Sequence, residues 1–91
     1  MKIIAKTTIA SVEAMGWYIL DEDRIFNEIE IHIDTDTRRV RVIADHPDEG
    51  VGPVDLGWDM DYTSTLEDLI VMVSEGKVEG VSYEEINRIL T

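Results

Sequence analysis

Asp59-Met60-Asp61, followed by Thr63, Glu67 and Asp68, gathers enough oxygen-bearing side chains to suggest a site for a hard cation. Calcium binding needs several oxygens converging on one point, and an EF-hand-type loop needs Asp first, Gly sixth and Glu twelfth. Counted from Asp59, the sixth and twelfth positions are Ser64 and Ile70, and loops started at Asp34 or Asp36 fit no better. His32 and His46 are the only imidazoles and cysteine is absent, so a zinc site would have to recruit both histidines and a carboxylate across fourteen residues. Gly50-Val51-Gly52-Pro53 follows Asp48 and Glu49 and has no lysine after it, so it would repel a phosphate rather than cradle one. No serine sits in a nucleophile-elbow pattern. These observations predict a protein with no metal, no cofactor and no enzymatic activity.

Charge is the stronger signal. Twenty Asp and Glu against eight Lys and Arg give a formal net charge of -12 over 91 residues. No Lys or Arg occurs between Arg41 and Lys77, while Asp45, Asp48, Glu49, Asp55, Asp59, Asp61, Glu67, Asp68 and Glu75 fall in that interval. A second acidic cluster is Asp21-Glu22-Asp23. Such a surface repels nucleic acid and attracts basic protein grooves. In Leu56-Gly57-Trp58-Asp59-Met60-Asp61-Tyr62 the aromatics and the carboxylates alternate. If that stretch is an extended third strand, Trp58, Met60 and Tyr62 share one side. Asp59 and Asp61 then share the other, about 6.5 Å apart.

The elements that must position these groups are partly legible. Ile29, Ile31 and Ile33 alternate with Glu28, Glu30 and His32, and Val40 and Val42 alternate with Arg39 and Arg41, which predicts a hairpin over about 28–33 and 38–43. A turn centred on Thr35-Asp36 would set Ile31 against Val40 and Ile29 against Val42 inside, with Glu30 against Arg41 and His32 against Arg39 outside. Ser64-x-x-Glu67 and Ser82-x-x-Glu85 match the capping box and predict helices over about 65–75, stopped at Gly76, and about 83–90. In the first, Leu66, Leu69, Ile70 and Val73 form the core stripe and Val71 and Met72 point outward; in the second, Tyr83, Ile86, Ile89 and Leu90 share the apolar face. The N-terminal residues suit a strand over 2–9 or a short helix over about 8–15 that ends at Gly16. A strand over Trp17 to Leu20 and a turn at 21–24 would follow.

The expected fold is therefore one α+β domain: a small antiparallel sheet, formed by the hairpin and one or two further strands, with two short C-terminal helices packed on one face. The start of the chain lacks the pattern of a signal peptide, no segment reaches the length of a membrane span, and the lack of cysteine suits a reducing cytoplasm. Self-repulsion favours a monomer.

The expected function is inhibition of a basic, nucleic-acid-binding partner, with a nuclease as one such partner and without direct contact to nucleic acid or membrane. Carboxylates would take the place of phosphates, and Asp21, Glu22, Asp23, Asp45, Asp48, Glu49, Asp55, Trp58, Asp59, Asp61, Tyr62, Glu67 and Asp68 are the candidate contact residues. In size and composition the chain resembles the small acidic inhibitors that phages and mobile elements direct at restriction or CRISPR nucleases. The competing expectation is a non-enzymatic interaction module, an antitoxin or a small subunit of an assembly, that binds through an apolar patch at Val71, Met72 and the 58–62 segment.

Overall fold

Alternating β-branched residues build the sheet, and the side of each strand that carries them becomes the core. A computed structural model describes residues 1–48 and 50–91; Glu49, one of the candidate contact residues, lies outside the described residues. Strands β1 (Lys2–Thr8), β2 (Glu28–Asp34), β3 (Arg39–Asp45) and β4 (Pro53–Asp55) form one antiparallel sheet in the order β1-β2-β3-β4. Helices α1 (Ile9–Ala14), α2 (Tyr62–Ser74) and α3 (Tyr83–Leu90) complete a small α+β fold. On the inner face Ile31 lies between Ala5 and Val42, and Ile29 between Thr7 and Ala44. All six are buried, and each isoleucine contributes about 1.5–3 kcal/mol by leaving water. Ile9, Val12, Ile19, Phe26, Leu66, Leu69, Met72, Val78 and Ile86 close over that face.

The hairpin lies where the alternation places it, but its register is shifted. Ile31 pairs with Val42 and Ile33 with Val40; on the outer face His32 opposes Arg41, and Glu30 opposes Ile43, instead of the expected Arg39 and Arg41. The turn is centred one residue later than its composition suggests. Asp34 Oδ1 accepts from the backbone N–H groups of Asp36 and Thr37, and Arg38 takes the left-handed conformation (φ 59°), so Asp34 closes against Arg39. Moving the centre by one residue shifts each partner by two, which keeps every side chain on its face and changes only whom it meets. His32 Nε2 lies 3.0 Å from Glu30 on its own strand.

At the N-terminus both alternatives occur in succession, a strand through Thr8 and then a helix. The Thr8 hydroxyl accepts from the Ser11 backbone N–H and so starts α1. The helix ends in a Schellman motif: Gly16 has φ 96°, its N–H donates to Glu13, and the Trp17 N–H donates to Val12. A residue with a Cβ would be strained in that conformation. The expected strand over Trp17 to Leu20 does not form, because this segment leaves the helix cap and runs into a 3-10 turn at Asp21–Asp23 without pairing to the sheet.

Helix α2 begins three residues before the expected start. Asp61, not Ser64, is the N-cap, its carboxylate accepting from the Ser64 backbone N–H at 2.9 Å. The stop at Gly76 is as expected, with the Lys77 N–H returning to Met72. The buried stripe is displaced from the expected one: Thr65, Leu66, Leu69 and Met72 are buried, Met72 at 0% exposure, while Ile70 and Val73 are half-buried. Val71 does face outward. Ser82 caps α3 as expected, Ile86 is its buried anchor, and Tyr83 is exposed instead of sharing the apolar face. The connector between α2 and α3 lies along the outer edge of β1, where Lys6 and Glu79 exchange two backbone hydrogen bonds and the Thr7 hydroxyl donates to the Lys77 carbonyl. That contact covers part of an otherwise open sheet edge.

Candidate partner-binding site

Two tryptophans organise the end of the molecule to which the acidic segments converge. The Schellman motif after α1 delivers Trp17, and the chain leaving β4 delivers Trp58. Their rings meet edge to face, with centroids 6.3 Å apart and planes at 78°. Each indole N–H donates to a carboxylate far away in sequence: Trp17 Nε1 to Asp68 Oδ2 of α2 at 2.7 Å, and Trp58 Nε1 to Asp23 Oδ2 of the 3-10 turn at 2.8 Å. The two rings and two carboxylates thereby tie the turn, the 56–61 segment and α2 together. Phe26, which follows the turn, meets the His46 ring edge to face at 6.0 Å and brings the 45–48 loop alongside.

The 56–62 segment is not a strand. Strand β4 is the shorter Pro53–Asp55, and the chain then runs without ladder pairing until Tyr62 enters α2, although the Leu56 N–H donates to Val42. Gly57 and the bonds made by Asp55 explain the interruption: the Asp55 carboxylate accepts from the Gly57 backbone N–H and turns the chain away from β3. The expected alternation of environment nevertheless holds. Leu56, Trp58, Met60 and Tyr62 are half-buried, and Asp55, Asp59 and Asp61 are exposed.

The candidate acids divide into two groups. Asp23 (9% exposed) and Asp68 hold the tryptophans, Asp61 caps α2, and Asp55 accepts from Arg41 Nε at 3.0 Å as well as from Gly57. The Gly57 N–H and then Arg41 lower the Asp55 pKa; the Ser64 N–H and hydroxyl, with a smaller contribution from the charge of Arg38, lower that of Asp61. Asp21, Glu22, Asp45, Asp48, Asp59 and Glu67 are exposed, and of these only Asp21 and Asp48 lie within ion-pair distance of a base, Arg24 and His46 respectively. Arg24 is itself engaged by Glu13, which raises the Arg24 pKa and lowers that of Glu13.

Between these groups lies an open groove of about 510 Å³ whose wall includes Trp17, Tyr18, Leu20, Trp58, Asp59 and Asp68. Tyr18 is 84% exposed and Leu20 44%. Trp17, Tyr18 and Leu20 are absent from the sequence-derived contact set. The available signal was a Trp-Tyr pair separated by two residues from an acidic cluster, in a chain with only two tryptophans. Its link to Asp68, 51 residues away, has no local signature.

The apolar patch of the competing expectation is reduced, since Met72 lies in the core and only Val71 of that pair is exposed. Among the described residues no group of three or more His, Asp or Glu side chains is arranged to hold a metal ion. Among the same residues no helix is long and apolar enough to cross a membrane. Compared with family models, curated proteins and solved structures, the chain matches none.

Proposed function

We propose that the protein is an inhibitor that binds a basic, nucleic-acid-binding protein by placing its acidic end in the groove that otherwise holds phosphates. One observation carries this reading: the acidic segments 21–23, 45–48, 55–61 and 67–68, scattered in sequence, are drawn together by the two indole–carboxylate bonds and the Phe26–His46 contact. The basic side chains Lys2, Lys6, Arg39 and Arg41 lie on the outer face of the sheet, interleaved with acids, and Arg41 is engaged by Asp55. There Lys2, Asp34 and Arg39 are aligned across three strands, and Lys6 stands opposite Glu30. A net charge of -12, with Asp21, Glu22, Asp45, Asp48, Asp59 and Glu67 exposed, steers the protein toward a positive groove, and its association should be fast and sensitive to salt. Nucleases that act on invading or host nucleic acid are partners of this chemistry.

The test is capture of partners from nuclease-treated lysate at low and raised salt, followed by competition with DNA or RNA. A nucleic-acid-binding protein that is lost as salt rises and displaced by its own nucleic acid is the expected result. A salt-resistant partner indifferent to nucleic acid would overturn the proposal and favour an apolar interaction module.

A further inference from the structure

We propose that the groove between Trp17 and Trp58 receives an arginine side chain of the basic partner; this inference deepens the inhibitor reading above and rests on it. The chain contains an example of the recognition involved. Arg38, held in the left-handed conformation, places its guanidinium carbon 4.8 Å from the centroid of the Tyr62 ring, and its charge helps lower the Asp61 pKa. An aromatic face beside a carboxylate thus already holds a guanidinium in this molecule.

The neighbouring groove repeats that chemistry with no base of its own. Its lining has aromatic side chains from Trp17, Tyr18 and Trp58, carboxylates from Asp59, Asp61 and Asp68, and neither Lys nor Arg. Asp68 holds Trp17 through Oδ2, which leaves Oδ1 for another donor. At about 510 Å³ the groove falls within the usual range for ligand sites and is large enough for one long side chain and part of its backbone. Arginine suits it better than lysine. The guanidinium is planar, stacks on aromatic rings, sheds water more readily than an ammonium and can donate to two carboxylates at once.

The two indole N–H resonances give direct reporters in a titration of the isotope-labelled full chain with acetyl-Gly-Arg-Gly-amide. The lysine and citrulline versions of the peptide serve as probes of charge shape and of charge. The arginine peptide should shift the Trp17 and Trp58 indole signals saturably, the lysine peptide should bind about 2- to 5-fold more weakly, and the citrulline peptide should leave both signals in place. Tyr18→Ala and Asp59→Asn, both at exposed side chains, should each weaken the arginine peptide by about 2- to 5-fold without unfolding the protein.

Equal shifts from the citrulline peptide would overturn the proposal. So would an arginine peptide that moves the amides of Asp21, Glu22, Asp45 and Asp48 but neither indole, a result that removes the groove and leaves the acidic-end reading standing. Groove binding of the arginine peptide with no basic partner captured from lysate would support the groove and remove the inhibitor reading.

Discussion

The β2–β3 hairpin and the two-tryptophan end are stabilised by different kinds of contact. In the hairpin every buried side chain is apolar and meets neighbours set by strand alternation, so stability there comes from area removed from water. At the tryptophan end the connections are single polar bonds between residues 35 and 51 apart, and the groups that make them are acids. The contrast shows that the acidic side chains of this protein are not one population. Some, such as Asp23, are part of the fold; others, such as Asp59, are exposed and make no side-chain hydrogen bond or ion pair among the described residues.

The sharpest way to break the comparison is to damage each region in its own manner. Ile31→Ala removes most of a side chain that is 0% exposed at the centre of the sheet, and should lower stability by about 2–5 kcal/mol in urea unfolding. Asp23→Ala leaves the Trp58 indole N–H without its acceptor and should cost about 1–3 kcal/mol. It should also change the near-ultraviolet dichroism of the tryptophans, which Ile31→Ala should alter only on unfolding. If Asp23→Ala left stability and tryptophan signal unchanged, the two kinds of acid would not differ.

Acid sharpens the same distinction. Asp55 and Asp61 have folded pKa values below their unfolded value, so each contributes stability that is fully present above about pH 5. That contribution is lost as pH falls through the folded values. The melting temperature should therefore fall below about pH 4, and the fall should be shallower in Asp55→Asn/Asp61→Asn, in which Asn at position 61 still caps α2. A slope unaltered by the double substitution would contradict the assignment. The smallest effect belongs to the unheld acids: Glu22→Gln, Asp45→Asn, Asp59→Asn and Glu67→Gln should each change stability by no more than about 0.5 kcal/mol in the same urea assay.

What could be read from the residues follows the same division. The faces of β2 and β3, the Ser82 cap of α3 and the Gly76 stop are local patterns, each contained within a few residues. The hairpin register was not, because Asp34 competes with Thr35-Asp36 to define the turn and Arg38 adopts a conformation that composition does not announce. Asp61 outcompeted Ser64 as the cap of α2 for a similar reason: both are good caps at neighbouring positions, and the choice depends on where the incoming chain is held. Acidity alone located the segments of the candidate site. Their assembly depended on Trp17, whose hydrogen bond to Asp68 spans more than half the chain and leaves no periodic trace.

The central claim is that the unheld acids carry binding while the indole-bound acids carry the fold. Its most direct test compares the wild type with the combined variant Glu22→Gln/Asp45→Asn/Asp59→Asn/Glu67→Gln for melting temperature and for affinity to the captured basic partner at fixed low salt. The account predicts a melting temperature equal to or above that of the wild type, because self-repulsion is reduced, together with a loss of affinity of tenfold or more, about 1.4 kcal/mol. A variant that binds as tightly as the wild type, with the same dependence on salt, would contradict it.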